Sequence, residues 1–109
     1  MFDDDDDDFA DVGTAAQIPN GGIRVVAVGG RDIMLTRFGD DIAAMGANCT
    51  HAFASLRDGE IVGTTITCHR HGARFDLKTG RSLSGMCPSL PRFEVRRLGA
   101  RVLVKRERD

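Results

Sequence analysis

The chain of 109 residues contains no tryptophan, no tyrosine, only three cysteines and only three histidines. No segment approaches the roughly 20 consecutive apolar residues that a membrane-spanning helix needs, so we expect no membrane anchor. The sequence starts with an acidic run, not with the basic residues of a signal peptide, so we expect a cytoplasmic protein. Three cysteines in an unexported chain are too few for a disulfide framework, which favours ligands plus one thiol.

Charge is distributed unevenly along the chain. Residues 1–11 contain seven aspartates, Asp3 to Asp8 and Asp11, and are predicted to form a disordered, solubilising acidic extension. The rest of the chain contains fifteen basic and nine acidic residues. Its C-terminal part is the most basic: Arg92, Arg96, Arg97, Arg101, Lys105, Arg106 and Arg108. Nucleic-acid binding is disfavoured because the basic residues are predicted to fall on strand faces, which leaves a solvated sheet edge or steering toward an acidic partner.

Short β-branched segments separated by turn residues predict an all-β domain of antiparallel sheets. The predicted strands span residues 23–28, 33–38, 42–47, 61–67, 74–77, 93–97 and 101–105. No segment has a convincing helical period, and the length is that of one domain. Two of these strands, 42–47 and 61–67, lead directly into short segments that each contain a cysteine and a histidine.

Cys49 and His51 form a C-x-H pair. Cys68 and His71 form a C-x-x-H pair, and sixteen residues separate His51 from Cys68. Two cysteines and two histidines in closely spaced pairs indicate a metal site. Zinc sites usually place two cysteines together before two histidines, whereas here each pair mixes the two residue types. Mixed pairs are the ligand pattern of a Rieske-type [2Fe-2S] centre, in which two histidines replace two cysteines on one iron.

The surrounding residues strengthen this interpretation. The second pair continues as His71-Gly72-Ala73-Arg74-Phe75-Asp76-Leu77-Lys78-Thr79-Gly80, and Gly85-Met86-Cys87-Pro88 follows. From about residue 12 to residue 106 the chain resembles the Rieske family, which has C-T-H, C-x-x-H-G running into F-D-x-x-T-G, and a closing loop with glycine and proline. Within the family it is most similar to the small ferredoxins of bacterial ring-hydroxylating oxygenase systems.

The resemblance implies one [2Fe-2S] cluster held by the thiolates of Cys49 and Cys68 and the imidazoles of His51 and His71. It implies a Rieske fold over residues 12–109, with a cluster-binding subdomain of about 46–90 inserted into a basal sandwich or barrel. It also implies a one-electron carrier, a monomer that docks transiently with a flavin-dependent reductase and a terminal oxygenase. The oxygenase itself needs a second iron site with two further histidines, and only His69 is left for it.

Two departures from other branches of the family concern the reduction potential. Respiratory Rieske proteins place a serine and a tyrosine hydroxyl near the cluster sulfurs, and the matching positions here are Ala73 and Phe75. Hydrogen bonds to the sulfurs favour the more negative reduced state. We therefore expect a potential near the low end of the Rieske range, roughly −150 mV.

Two residues near the site leave alternatives open. His69 lies between the ligands of the second pair, but the C-x-x-H spacing and Gly72 favour His71, so His69 is expected to face solvent. Cys87 is expected to be a small, half-buried residue of the closing loop, and a cluster-tuning thiol is the alternative.

Two other functions remain possible at this level. The small subunit of another oxidoreductase, such as nitrite reductase, shares the fold but often lacks the four ligands that are present here. A zinc-stabilised interaction module would instead hold one metal ion and have no redox chemistry.

Overall fold

The computed structural model describes residues 8–50, 54–69, 72–85 and 87–106. In these ranges the chain forms ten β-strands and two short 3-10 turns, Ala15–Gln17 and Leu56–Asp58. The strands are β1 Phe9–Thr14, β2 Ile23–Val28, β3 Arg31–Phe38, β4 Asp41–Gly46, β5 Glu60–Val62, β6 Thr65–Thr67, β7 Arg74–Asp76, β8 Arg92–Phe93, β9 Val95–Leu98 and β10 Arg101–Lys105. The predicted all-β fold of antiparallel sheets is confirmed.

The strands form three antiparallel sheets, ordered β1-β10-β9, β2-β3-β4-β8 and β5-β6-β7. The second sheet lies between two hydrophobic cores, because β3 and β4 bury side chains on both faces of the sheet. Side chains of successive residues in a strand point to opposite faces. Ile33 and Leu35 of β3 therefore enter one hydrophobic core, together with Val104 of β10. Met34 of β3 and Met45 of β4 enter the other.

This second core, which we call the cluster-side core, lies between the β2-β3-β4-β8 sheet and the β5-β6-β7 sheet. Its fully buried side chains include Leu56, Ile66, Phe75 and Leu77. A buried hydrogen bond joins the two sheets, because the Thr36 hydroxyl of β3 donates to the Leu77 carbonyl oxygen at 2.7 Å. This bond ties the two sheets together across the core.

The segment 61–67, predicted as one strand, is instead the hairpin of β5 and β6. Ile61 pairs with Ile66, and Val62 pairs with Thr65. Gly63 makes the turn with a φ of 60°, a conformation that glycine adopts without steric cost. The β-branched residues on both sides of Gly63 gave the appearance of one continuous strand.

The segment 93–97, also predicted as one strand, is divided between two sheets at Glu94. Phe93 belongs to β8 and pairs with Ala44 of β4, whereas Val95 belongs to β9 and pairs with Val104 of β10. The chain thus passes within two residues from the β2-β3-β4-β8 sheet to the β1-β10-β9 sheet, called here the basal sheet.

The first strand was not predicted, because residues 9–11 were assigned to the acidic extension. They pair with β10 instead: Phe9 lies opposite Lys105 and Asp11 opposite Leu103. Phe9 is 7% exposed, and the Arg96 guanidinium lies 4.1 Å from its ring centroid. Burial of one aromatic ring and two bonds from Arg101 to Asp11 outweigh the acidic local composition. Across the described ranges, no helix has the length and apolarity of a membrane span.

Candidate metal centre

The first cysteine–histidine pair belongs to a loop that follows β4, residues 47–56, called here the first ligand loop. Two backbone hydrogen bonds hold its ends together: Cys49 N–H donates to the Ala54 carbonyl oxygen at 2.7 Å, and Leu56 N–H donates to that of Ala47, also at 2.7 Å. The loop starts beside Pro91, since a Cβ at Gly46 would lie 2.9 Å from Pro91 Cγ. These bonds fix Cys49 at the end of a short two-stranded ladder.

The second pair belongs to the loop between β6 and β7, residues 68–73, called the second ligand loop. Cys68 N–H donates to the Ala73 carbonyl oxygen at 2.8 Å, and Gly72 N–H donates to the Cys68 carbonyl oxygen at 2.9 Å. Gly72 has a φ of 73°, which a residue with a Cβ adopts only with strain. The glycine after His71 is therefore required by the turn that closes the loop.

The two loops share one backbone hydrogen bond. In each, the cysteine N–H donates to the carbonyl oxygen of an alanine five residues later, Ala54 or Ala73. Both cysteines are buried, Cys49 at 0% and Cys68 at 1% exposure, and both belong to the cluster-side core. All three cysteines of the chain lie among the described residues, and none of them forms a disulfide. The fold thus presents two thiol groups in equivalent backbone settings within one core.

A third segment, residues 80–90, returns across β7 and is called the closing segment. Its ends meet where Leu90 N–H donates to the Gly80 carbonyl oxygen at 2.8 Å. Ser82 pairs with Phe75 in an isolated bridge, and Leu83 N–H donates to the Arg74 carbonyl oxygen. The closing segment contacts the first ligand loop as well, because the Thr50 hydroxyl donates to the Pro88 carbonyl oxygen at 2.6 Å.

Cys87 lies in the closing segment and is half-buried, as predicted. Its sulfur is 3.6 Å from the Ser82 hydroxyl oxygen. Burial raises the pKa of the Cys87 thiol, but the hydroxyl groups of Thr50, Ser82 and Ser84 together lower it below its ordinary value. The Ser84 hydroxyl oxygen is buried and has no hydrogen-bond partner among the described residues. The odd cysteine of the chain thus lies within hydrogen-bonding distance of one hydroxyl group, that of Ser82.

An open groove of about 480 Å³ runs along the outer side of the first ligand loop. Its lining combines the β2–β3 turn, Gly30 to Asp32, with Asn48, Cys49, Thr50 and Pro91. Because the groove reaches Cys49, another molecule can approach this side of the loop closely.

The structure describes two of the four predicted ligands, Cys49 and Cys68, whereas His51 and His71 lie outside the described residues. Among the described residues no group of three histidine, cysteine or acidic side chains is placed to hold a metal ion. His69, which was expected to face solvent, is exposed. Ala73 and Phe75, the positions without hydroxyl groups, are both fully buried in the cluster-side core.

Sequence reasoning missed the hydrogen bond from Thr50 to Pro88 of the closing segment and the contact of Ser82 with Cys87 inside that segment. The signal for them is weak, a scatter of serine and threonine residues that are also common in ordinary turns.

Comparison with known proteins decides the family. The model of the Rieske [2Fe-2S] domain matches residues 8–107. The chain belongs to the Rieske [2Fe-2S] family. This Rieske domain is 34% identical over 89 residues to the ferredoxin component of the naphthalene 1,2-dioxygenase system of Pseudomonas aeruginosa, covering 81% of this chain and 86% of that one.

Solved structures agree with the sequence comparison. The Rieske domain matches a chain in the complex of reduced oxygenase and oxidised ferredoxin of carbazole 1,9a-dioxygenase, with a TM-score of 0.81 and 35% identity over 94% of this chain and 96% of the other. A structure described as a nitrite reductase small subunit has a TM-score of 0.72 at 17% identity, over 88% and 96% of the two chains, and shares the fold alone.

The described residues fit the cluster that this family carries. The two buried cysteines would supply two thiolates to it, and neither is engaged in a disulfide. The only buried polar or charged side chain among the described residues is Thr36, and its hydroxyl is already bonded to Leu77. Among the described residues, the cluster-side core therefore contains no buried charged side chain.

Proposed function

We propose that this Rieske domain is the ferredoxin of an aromatic-ring dioxygenase system, a one-electron carrier and not the hydroxylating enzyme. It accepts electrons from a flavin-dependent reductase that uses NADH or NADPH, and it donates them to a terminal Rieske non-haem iron oxygenase. Relatives that share about a third of their residues with it are named as ferredoxins of dioxygenase systems. We propose a cytoplasmic location for the protein.

The observation that carries the proposal is the equivalence of the two cysteine turns. Cys49 and Cys68 are buried in one core and hydrogen-bonded in the same way to Ala54 and Ala73. Two such turns suit a cofactor that takes one ligand pair from each loop. We assign the thiolates of Cys49 and Cys68 to one iron and the imidazoles of His51 and His71 to the other. The cluster-binding subdomain of about residues 46–90 within a domain of residues 12–109 belongs to the same proposal.

When bound, a centre with two thiolate and two neutral imidazole ligands gains and loses one electron at a higher potential than a cluster with four thiolates. The side chains and backbone of this domain supply the surroundings of that centre. Leu56, Ile66 and Phe75 exclude water from the two sulfurs. Backbone hydrogen bonds at both cysteines keep the loops in one conformation, so little rearrangement is needed when the charge changes.

The reduction potential of the centre depends on hydrogen-bond donors near its sulfurs, and two nearby side chains lack such donors. Ala73 and Phe75 are fully buried beside Cys68 and carry no hydroxyl group that could donate to a sulfur. A negative charge added in an apolar core without such donors is less stabilised than in respiratory Rieske proteins. We therefore propose a low potential, which suits delivery of electrons to an oxygenase.

Docking of a partner needs an open surface near the ligands. The groove beside Cys49 provides one, and exposed His69 borders the second ligand loop. The partner approach is expected to be transient, since a carrier must release one protein before it meets the next.

The proposal is tested with the purified protein in two steps. Reduction with dithionite should give a rhombic EPR signal with the low average g value of mixed histidine and cysteine ligation, with two irons and two labile sulfides per chain. The reduced protein should then support product formation by a naphthalene or carbazole dioxygenase oxygenase component in the presence of an NADH-dependent ferredoxin reductase. A colourless protein with one zinc ion per chain would overturn the redox function. A normal EPR signal with no transfer to either oxygenase would overturn the assignment to a dioxygenase system.

A further inference from the structure

The tip of the closing segment, residues 83–88, is attached to both ligand loops. Its first residue is tied to the strand that follows the second ligand loop, because Leu83 N–H donates to the Arg74 carbonyl oxygen at 2.8 Å. Its last residue is tied to the first ligand loop, because the Pro88 carbonyl oxygen accepts the Thr50 hydroxyl at 2.6 Å. The residues between these two attachments therefore cross from one ligand loop to the other.

This crossing contains one buried hydroxyl group without a partner. The Ser84 hydroxyl oxygen is buried and makes no hydrogen bond, and no other buried side-chain oxygen or nitrogen among the described residues lacks one. Burial of a hydroxyl group without a hydrogen bond costs stability, so such groups are normally paired. The unpaired hydroxyl at this place indicates an acceptor that the described side chains and backbone do not supply.

The crossing lies over the core that holds the two proposed thiolate ligands. Cys87, three residues after Ser84, packs against the cluster-side core that contains Cys49 and Cys68. A serine hydroxyl has one hydrogen to donate, and no described group accepts that of Ser84. The sulfurs of an iron–sulfur cluster accept hydrogen bonds, which makes them a suitable acceptor for this hydroxyl.

A donor from the closing segment also agrees with the proposed low potential. The two positions at which respiratory Rieske proteins carry hydroxyl groups are Ala73 and Phe75 here, and both are buried. Ser84 belongs to a different segment, so it supplies one donor from another side and does not restore two. One donor in place of two leaves the reduced state less stabilised than in respiratory Rieske proteins.

We infer that the Ser84 hydroxyl donates a hydrogen bond to a sulfur of the cluster and thereby raises its reduction potential. The inference rests on the proposed ligand set and deepens the proposed function, because it names a donor outside both ligand loops.

The test compares Ser84→Ala with Ser82→Ala in the iron-loaded protein, by redox titration followed by EPR. Loss of one hydrogen bond of ordinary net strength changes an equilibrium about five-fold. At the wild-type midpoint potential we therefore expect the ratio of reduced to oxidised protein to fall about five-fold in Ser84→Ala. An unchanged ratio would mean that the hydroxyl bonds something other than the cluster, such as a buried water, and would overturn the inference.

Ser82→Ala is the matched control, because it removes a hydroxyl group from the same segment. The Ser82 hydroxyl oxygen already has a partner, the Cys87 sulfur at 3.6 Å. Its removal should leave the ratio of reduced to oxidised protein unchanged. Equal shifts in the two variants would overturn a specific role for Ser84.

Resonance Raman spectroscopy separates a direct hydrogen bond from a general change in the fold. Exchange into heavy water shifts the Fe–S stretching bands of a cluster whose sulfurs accept exchangeable hydrogens. Part of this shift should be lost in Ser84→Ala and kept in Ser82→Ala. Full retention of the shift in Ser84→Ala would overturn a direct bond.

The Cys87 thiol belongs to the same crossing and has to be excluded as the acceptor. In a Cys87→Ala background, Ser84→Ala should change the ratio of reduced to oxidised protein by the same factor as in the wild type. Loss of the effect in that background would mean that the hydroxyl acts through the thiol, and the inference would be wrong.

All of these measurements use dithionite and chemical mediators without a partner protein, so they are independent of electron delivery to an oxygenase. Absence of the rhombic EPR signal in the wild type would overturn the proposed ligand set, and this inference with it. A normal signal with no effect of Ser84→Ala would overturn this inference alone.

Discussion

Both ligand loops contain a hydrogen bond from the cysteine N–H to an alanine five residues later, but different further contacts hold the two loops. In the second loop the constraint is local: Gly72 adopts a positive φ and its N–H donates to the Cys68 carbonyl oxygen four residues earlier. In the first loop a tertiary contact adds to the local one, because Thr50 is bonded to Pro88 of the closing segment. A locally closed turn can form with its own strand pair, whereas the first loop is complete only when a distant segment has folded onto it.

This difference also explains which loop the sequence describes better. Gly72 stands in the sequence beside the predicted ligand and indicates a turn. Nothing near Thr50 indicates that its partner is the carbonyl oxygen of Pro88, 38 residues away.

The largest effect is expected from removal of a histidine in either loop. His51→Ala or His71→Ala should abolish the rhombic EPR signal and reduce the iron content, because each removes one proposed ligand. His69→Ala is the matched control, as an exposed histidine between the ligands of the second pair, and should retain iron. Normal iron content in His71→Ala together with loss in His69→Ala would reverse the assignment within the second loop.

The local constraint of the second loop is tested by Gly72→Ala. A φ of 73° costs a residue with a Cβ about 1–2 kcal/mol, and the strain falls on the turn that contains His71. We expect lower stability in denaturant unfolding and faster iron release. Gly63→Ala, with a φ of 60° in the β5–β6 turn, should cost a similar free energy of unfolding. Equal iron release in the two variants would show that the strain at residue 72 does not act on the ligand loop.

A smaller effect is expected from hydroxyl groups introduced beside the second loop. Ala73→Ser or Phe75→Tyr should raise the reduction potential, because a new donor near a sulfur favours the reduced state. One net hydrogen bond of about 1 kcal/mol corresponds to about 40 mV for one electron. Redox titration followed by EPR measures the shift. An unchanged or lower potential in both variants would show that these positions do not face the sulfurs.

The smallest effect is expected at the basal sheet, which lies outside both loops. The hydrogen bonds from Arg101 and from Gly13 N–H lower the pKa of the Asp11 carboxyl below its usual value. Such a carboxyl stabilises the folded state when ionised, so this contribution is complete above the usual pKa of aspartate and is lost as the pH falls through the lowered one. Asp11→Asn should therefore reduce the melting temperature slightly at pH 7, and the difference should vanish in acid. The potential should not change, and a shift would mean that the basal sheet and the ligand loops are coupled.

By itself the sequence determined the type of site and the class of fold. Cys49 and Cys68, each with a histidine two or three residues later, predict the ligand chemistry because the residue types and their spacing are local properties. The turn residues and β-branched segments likewise predicted most strands of the β2-β3-β4 region. The hairpin at Gly63 and the division at Glu94 were missed because strand signals continue across both positions.

Only the tertiary structure decided what surrounds the ligands. Pairing of β1 with β10 depends on Phe9 and Asp11 finding Arg96 and Arg101, about ninety residues away in the chain. The burial of Cys49 and Cys68 in one core depends on β3 and β4 burying both of their faces, which alternation on one face does not reveal. The hydrogen bond from Thr50 to Pro88 also joins distant segments, and local propensity contains no information about pairs that meet only when the sheets have packed.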